Sequence, residues 1–194
     1  MTERTAISAT IYSIGHGNRS LGDFVAQLRA VGVVCLVDVR AYPSSRRHPQ
    51  FARMALEPAL RTAGMRYLWE GAALGGMRRP RSSGSPHTAL TDPALRGYAD
   101  HMATPQFVDA IARLLELAAV TPIALMCAER DHRYCHRAFI ADALLLAGAE
   151  VRHLADLNDV RRHVLSEAAR PAADGTLVYD ACVQMGLALR PPDY

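Results

Sequence analysis

Residues 9–40, ATIYSIGHGNRSLGDFVAQLRAVGVVCLVDVR, carry the pattern that decides the fold. An apolar segment at 9–14, a helical pattern at 21–31 and a second apolar segment at 33–39 follow one another. The letters S-L-G-D at the start of the helical pattern form a capping box. The second apolar segment is continuous and rich in β-branched residues, which is typical of a strand buried in a parallel sheet. The stretch therefore predicts a strand–helix–strand unit.

The rest of the chain continues this alternation. We predict further strands at 65–69, 122–126 and 151–154, helices at 56–63, 93–102, 105–119, 134–147 and 157–169, and an edge strand or docked helix at 176–183. Strands that alternate with helices form a parallel sheet with right-handed crossovers. We therefore expect an α/β fold in a single domain, with a mainly parallel sheet of about five strands and helices on both faces. Residues 1–155 would form this domain, and residues 156–194 a C-terminal helix and appendage packed on it.

Composition limits the class of protein. The chain has 194 residues, of which 50% are hydrophobic and 21% are charged, as in a globular domain. Its apolar runs are too short to span a membrane, and its N-terminus lacks a signal-peptide pattern, so we expect a cytoplasmic protein with no membrane partner. In that compartment the four cysteines are expected to be thiols rather than disulfides.

The basic residues are all arginine, and the absence of lysine excludes Schiff-base chemistry and a Walker lysine. Arginine binds carboxylates and phosphates through two parallel hydrogen bonds. Residues 1–90 carry 12 arginines and 5 acidic residues, whereas residues 91–194 carry 10 and 14. The first half of the chain is therefore the half suited to face an anionic partner.

Nearly every predicted strand ends at a residue that can transfer a proton or bind an anion. Because ligands bind at the carboxyl ends of strands in sheets of this kind, we predict one pocket there. The predicted catalytic residues of this pocket are His16, Asp38, Cys127 and Glu129. The predicted substrate contacts are Asn18, Arg40, Arg46, Arg47, Cys135, His136 and Arg137. In such a pocket the histidine and aspartate would exchange protons, and the arginines would hold a small anionic ligand.

Two cysteines lie where a predicted strand meets a predicted helix. Cys127 ends the strand among Arg130, Arg133 and Arg137, which favour its thiolate, and Cys135 lies at the start of the helix. Cys127 is equally compatible with a small buried apolar residue, and the free N–H groups of the helix lie nearer Cys135. The cysteines are eight residues apart, unlike the close pairs of zinc knuckles, so we assign no metal ligand from the sequence, although a composite metal site with His16 stays open. No pattern identifies a cofactor.

Six segments of the chain carry a family resemblance. They are IYSIGHGNRSLGDF (11–24), VDVRAYPSSRRHPQF (37–51), AALGG (72–76), ADHMATPQF (99–107), LMCAERDHRYCHRAFIADAL (125–144) and VRHL (151–154). In this order and spacing they resemble the bacterial and archaeal domain-of-unknown-function family 488, over residues 9–155. Gly17 is a departure, because the family often has serine there. The resemblance implies a compact α/β domain with its motifs at one sheet edge, and it supplies no reaction.

Three functions remain open. The first is an enzyme acting on a small anionic substrate, phosphorylated or nucleotide-like, in the strand-end pocket; it requires His16 and Cys127 to line one cavity. The second is a nucleic-acid-associated module that uses the arginines of segments 40–53 and 78–81. The third is a thiol redox or metal-binding protein built on the two cysteines. The loop at 70–90, rich in glycine and arginine, is further predicted to be a lid that closes over an anion.

Overall fold

The computed structural model of this protein describes residues 9–81 and 84–180. The strands are β1 (Thr10–Gly15), β2 (Cys35–Asp38), β3 (Arg66–Trp69), β4 (Ile123–Cys127), β5 (Glu150–Asp156), β6 (Asp159–Arg162), β7 (Ala169–Pro171) and β8 (Leu177–Tyr179). The α-helices are α1 (Leu21–Ala30), α2 (Arg53–Thr62), α3 (Gly71–Leu74), α4 (Pro93–Met102), α5 (Pro105–Val120) and α6 (Arg137–Leu146). Within the described ranges, none of these helices is long and apolar enough to cross a membrane.

Six strands form one sheet in the order β3-β2-β4-β1-β5-β6. The first five are parallel to one another, and β6 runs antiparallel to β5. Strands β7 and β8 pair antiparallel in a separate sheet of two strands. The prediction of an α/β fold with a mainly parallel sheet is confirmed, with one strand more than expected.

The helix starts follow the capping signals in the sequence. The Ser20 hydroxyl accepts a hydrogen bond from the backbone N–H of Asp23 at 3.0 Å, at the start of α1. Asp92 accepts from two backbone N–H groups of α4, and the Thr104 hydroxyl accepts from one of α5. Each side chain satisfies N–H groups that have no partner within the helix itself. The three predicted helices that these residues open are confirmed.

Each face of the sheet is covered by its own helices. On one face, which we call the α1/α2 face, Phe24 packs in the same apolar cluster as Leu36 of β2. On the other, the α5/α6 face, Leu144 packs in the same cluster as Val37 of β2. Successive strand residues alternate between the faces, so neighbours on β2 join different cores. The predicted placement of helices on both faces is confirmed.

The predicted helix at 157–169 is wrong. The chain instead turns at residues 157–158 and forms β6, with Arg161 paired opposite His153 of β5. This pairing gives hydrogen-bond partners to the backbone groups on the outer edge of β5, and that gain outweighs the helical tendency of the segment. Strand β8 provides a strand in the segment 176–183, although it pairs with β7, and residues 181–183 lie outside the described residues.

Helix α6 begins at Arg137, three residues later than the predicted helix at 134–147. A single 3₁₀ turn at His132–Tyr134 comes first, and Cys135 then adopts an extended backbone with φ −139° and ψ 146°. An extended residue cannot continue the turn into an α-helix. Cys135 therefore lies on a short connection that leads into α6, close to the carboxyl end of β4.

Candidate active site

The carboxyl ends of β1, β2 and β4 bring the predicted catalytic residues to one edge of the sheet. The backbone N–H of His16 donates to the carbonyl of Cys127 at 2.9 Å, so the two residues are neighbours along this edge. Their side chains nevertheless diverge. His16 stacks on Phe51, which belongs to the α1/α2 core, whereas Cys127 belongs to the α5/α6 core. The prediction that they line one cavity is wrong. The register between neighbouring strands decides to which face of the sheet each of these side chains points, and the register could not be known from the sequence.

Asp38 and Arg40 form a buried ion pair on the α1/α2 face. The Arg40 guanidinium donates from Nε to Oδ1 of Asp38 at 2.9 Å and from Nη2 to Oδ2 at 2.6 Å. The carboxylate also accepts from the backbone N–H of Arg40 at 3.0 Å and from the Tyr67 hydroxyl at 2.7 Å. The two side chains are 0% and 5% exposed. These bonds occupy the Asp38 carboxylate and hold the chain beyond β2 in a fixed position.

His16 is a buried, neutral base next to this ion pair. Its ring stacks on Phe51 with centroids 4.4 Å apart, and burial, helped by the charge of Arg40, lowers the pKa of His16 to about 4. Nδ1 lies 2.9 Å from the carbonyl of Gly17. Since a carbonyl only accepts, the single ring proton lies on Nδ1, and Nε2 carries a lone pair. That lone pair faces Nη1 of Arg40 at 3.5 Å.

On the α5/α6 face, Cys127, Cys135 and His136 form a second group, which we call the thiol cluster. The Nδ1 atom of His136 lies 3.6 Å from Sγ of Cys135 and 4.0 Å from Sγ of Cys127. All three atoms lie within 4.8 Å of one another. Nε2 of His136 donates to the carbonyl of Val39 at 3.0 Å, and the Tyr98 ring packs 5.2 Å from the imidazole. The backbone end of β2 thus fixes the ring with Nδ1 directed at both sulfurs.

The thiol cluster distributes its protons unequally. Burial opposes the Cys135 thiolate, but the hydrogen bond from Cys127 and the charges of His136 and Arg137 outweigh burial and hold the pKa of Cys135 well below its usual value. That hydrogen bond to Cys135, together with burial, raises the pKa of Cys127 well above its usual value. The Cys135 thiolate overcomes the effect of burial and raises the pKa of His136. These shifts favour the thiolate at Cys135, the proton at Cys127 and a cationic His136 beside the thiolate.

Arg137 supports the loop beside this cluster. Its side chain is 1% exposed, and the guanidinium donates to the Ser13 hydroxyl at 3.0 Å and to the backbone carbonyl of Glu129. The Glu129 side chain is itself exposed, and partial burial together with the Cys135 thiolate raises the pKa of its carboxyl. Asn18 is also exposed. Of these predicted site residues, only Arg137 is enclosed by the fold.

The arginines of segment 40–53 do not form one continuous charged surface. Arg53 pairs with Glu57 at 3.2 Å on the exposed side of α2. Arg46 and Arg47 are exposed on the loop between β2 and α2, as expected from the sequence. Because Arg40 and Arg53 are paired with carboxylates, they contribute little to a cationic surface that a nucleic acid could contact.

The predicted lid lies against α4 in the free protein. The Arg78 guanidinium donates to two backbone carbonyls of its own segment, and the backbone N–H of Arg81 donates to the Asp100 carboxylate at 3.0 Å. A Cβ atom on Gly97 of α4 would lie 2.6 Å from the carbonyl oxygen of Arg78. Backbone packs directly on backbone here, which counts against a lid made of these arginines.

The sequence interpretation missed Arg19, which ties β1 to β5. This arginine is 6% exposed, and its guanidinium donates to the backbone carbonyls of Gly15 and Ala155. A Cβ atom on Gly15 would lie 1.7 Å from the carbonyl oxygen of Glu129, so β1 passes tightly beside the loop that follows β4. An arginine in a short loop is normally a surface residue, and no local signal in the sequence marks this one as buried.

Comparison with known proteins gives one match. Residues 20–144 match the family described as Domain of unknown function DUF488. Searches of curated proteins and of solved structures found no match. The matched range covers more than half of the chain and includes the Asp38–Arg40 pair and the whole thiol cluster. The chain therefore belongs to the DUF488 family.

Proposed function

We propose that this protein is an enzyme that uses the Cys135 thiolate as a nucleophile towards a small anionic substrate at the carboxyl edge of the sheet. The observation that carries the proposal is the contact of 3.6 Å between Sγ of Cys135 and Nδ1 of His136, with Nε2 of the same ring held by the Val39 carbonyl. A thiolate paired with an imidazolium is an activated nucleophile. Cys135 is 5% exposed and His136 is partly exposed, so a substrate would reach the thiolate along the imidazole ring.

The three residues of the thiol cluster have complementary roles in this proposal. The Cys135 thiolate forms a bond to the electrophilic atom of the substrate, and the leaving group departs with the bonding electron pair. His136, which carries the Nδ1 proton, can donate it to that leaving group. The Cys127 thiol stabilises the thiolate by its hydrogen bond and stands close enough to act as a second thiol when the first is modified.

An anionic substrate is favoured by two buried arginines at the same edge. Arg19 and Arg137 donate to backbone carbonyls and a hydroxyl, and within the described residues neither makes an ion pair with a carboxylate. Among the residues that the structure describes, neither guanidinium contacts a carboxylate as Arg40 contacts Asp38, although Arg137 also stabilises the Cys135 thiolate. In a partly buried site, cationic side chains attract anions more strongly than they would in water.

Metal binding by the thiol cluster is a second candidate function, and a specific distance favours it. In a tetrahedral zinc site with usual bond lengths, a sulfur and a nitrogen ligand lie about 3.6 Å apart. The two sulfur–nitrogen distances here are 3.6 and 4.0 Å. The bond from His136 Nε2 to a backbone carbonyl is also the usual support for a metal-ligating histidine. Metal analysis of the purified protein and of Cys135→Ser separates this function from the first.

Selective alkylation tests the proposed nucleophile. Metal-free protein is treated with iodoacetamide or with iodoacetate between pH 6 and 9, and labelled peptides are quantified by mass spectrometry. At pH 6 we expect Cys135 to react about tenfold or more faster than an ordinary thiol, since most of it is thiolate. The ratio of the iodoacetate rate to the iodoacetamide rate should be higher at Cys135 than on a free thiol, because iodoacetate is anionic.

The control for this experiment is Cys35, which is buried within β2 and whose pKa is raised by burial, so it should remain unlabelled. Cys127→Ser should retain rapid labelling of Cys135. The pH at which labelling is half-maximal should rise, because the hydrogen bond from the Cys127 thiol to the Cys135 thiolate is lost. His136→Gln should remove the rapid reaction. Labelling of Cys135 at the rate and pH dependence of an ordinary thiol would overturn the proposal.

A further inference from the structure

Three of the eight histidines meet at the β5 end of the sheet, away from the thiol cluster. His132 lies in the 3₁₀ turn before α6, His153 lies in β5, and His163 follows β6. We call them the histidine cluster. One ring nitrogen from each lies within 4.8 Å of the others, and Nε2 of His153 lies 3.0 Å from Nδ1 of His163. His132 stacks on His153 with ring centroids 3.4 Å apart.

A carboxylate holds a ring nitrogen of His163, and another lies near a ring nitrogen of His132 without a hydrogen bond. Nε2 of His163 lies 2.9 Å from Oδ1 of Asp142, and Nδ1 of His132 lies 3.8 Å from Oδ1 of Asp131. Asp142 is itself fixed, because it accepts from the Tyr179 hydroxyl at 3.0 Å. A carboxylate behind the ring sets the tautomer of a metal-ligating histidine and leaves the other nitrogen free for the ion. In His163 the nitrogen that is not held by Asp142 is Nδ1, and it faces Nε2 of His153.

His153 is poorly satisfied without a further partner. The residue is 3% exposed, and its Nδ1 atom has no hydrogen-bond partner. Burying three imidazole rings in contact costs desolvation energy. An ion at the centre would replace the proton between Nε2 of His153 and Nδ1 of His163 and would use both of these nitrogens.

We propose that His132, His153 and His163 bind a divalent first-row transition metal ion such as Zn²⁺ or Co²⁺. Neutral imidazole nitrogens are preferred ligands for these ions. Because two parallel rings cannot both direct lone pairs at one ion, binding turns His132 out of its stack, and this ring is partly exposed in a short turn. His163 coordinates through Nδ1 and His153 through Nε2, the two nitrogens that share a proton in the free protein. That proton moves to Nδ1 of His153.

The bound ion would keep a position open to solvent. A cavity of about 330 Å³ adjoins the cluster and is lined by both His132 and His153. Charged side chains of both signs also line this cavity, namely Arg130, Arg137, Arg161, Asp131, Asp156 and Asp159. Three protein ligands with one open position is the arrangement of catalytic rather than structural zinc sites. Arg130 pairs with Asp156 and Arg161 pairs with Asp159, so these charges are balanced and we expect water as the fourth ligand.

Cobalt titration separates this site from the thiol cluster. Thiolate ligands add a strong near-ultraviolet charge-transfer band to Co²⁺, and imidazole ligands do not. In Cys127→Ser/Cys135→Ser protein, we expect one equivalent of Co²⁺ to bind without that band, and Zn²⁺ to displace it. Zn²⁺ in hundredfold excess over its Kd should raise the Tm by about 5 °C or more.

Single histidine variants assign the ligands. His132→Ala changes a partly exposed ring and should fold, and we expect it to weaken binding at this site about tenfold or more. His153→Gln should abolish it, while His48→Ala, a histidine outside the cluster, should bind Co²⁺ like the parent protein. If the double cysteine variant fails to fold, the same histidine variants are compared in the chain that keeps its cysteines. There the histidine variants should lose the Co²⁺ absorption that lacks the thiolate band, and any thiolate band should remain. The proposal would be overturned if no equivalent of Co²⁺ bound without the thiolate band, or if that equivalent still bound to His132→Ala and His153→Gln. Neither result would affect the Cys135 alkylation experiment.

Discussion

Replacement of Asp38 by asparagine removes the negative charge that faces the buried guanidinium of Arg40. The carboxylate is 0% exposed and accepts from Arg40 and from the Tyr67 hydroxyl, so its loss leaves a buried cation without a counter-charge. Breaking one side of a buried ion pair costs about 3–5 kcal/mol. We therefore expect the free energy of unfolding to fall by about that amount and the Tm to fall by about 10 °C.

The chain contains a matched control for this substitution. Asp159 and Arg161 are also two residues apart, and Arg161 donates from Nε at 2.9 Å to Oδ1 of Asp159 and from Nη2 at 2.5 Å to Oδ2. The geometry resembles that of Asp38 and Arg40, but these side chains are 39% and 62% exposed. Water screens an exposed pair, so Asp159→Asn should leave the stability nearly unchanged.

Urea unfolding followed by circular dichroism measures both variants against the parent protein. A large loss for Asp38→Asn with almost none for Asp159→Asn supports a positioning role for the buried pair. Similar effects in the two variants would refute the argument from burial. A fully stable Asp38→Asn protein that has lost a measurable activity would instead return Asp38 to the catalytic role that the sequence suggests.

Two further measurements test the packing and the buried bases. Gly97→Ala should lower the free energy of unfolding by about 1–3 kcal/mol, because the new Cβ would lie 2.6 Å from the carbonyl oxygen of Arg78, whereas Gly22→Ala, whose Cβ meets no atom closer than 3.7 Å, should not destabilise the protein. Stability should also fall as the pH decreases from about 6.5 to 4, since the pKa of His16 is lowered to about 4 in the folded state and the unfolded chain binds the proton first. Equal urea midpoints for the two glycine variants, or a flat pH profile, would contradict these expectations.

Local signals in the sequence were sufficient for most of the parallel sheet. The capping residues Ser20, Asp92 and Thr104 mark helix starts because they satisfy backbone N–H groups within a few residues, which is a short-range effect. The same reasoning failed at 157–169, where β6 forms because the edge of β5 needs partners. That requirement depends on where β5 lies in the sheet, and no local pattern reports it.

The candidate site could be predicted only in part for a related reason. The strand-end rule correctly brings His16, Asp38 and Cys127 to one edge, but the register of parallel strands determines that Asp38 lies opposite Met126 and that Cys127 turns to the other face. Register is set by the packing of whole strands, which a single sequence does not show. The histidine cluster was missed because one member, His163, was assigned to a helix that does not form.

Arg137 connects the two clusters and affects how they must be tested. It follows His136 directly, its guanidinium holds the Glu129 carbonyl, and the same side chain lines the cavity beside His132 and His153. Nε of this buried arginine has no hydrogen-bond partner, so any change in the residue alters a crowded region on both sides. A loss of function in an Arg137 variant would therefore fit either site equally well. Substitutions within each cluster that leave this shared arginine unchanged are therefore needed. They can assign nucleophilic chemistry to the thiol cluster and metal binding to the histidine cluster.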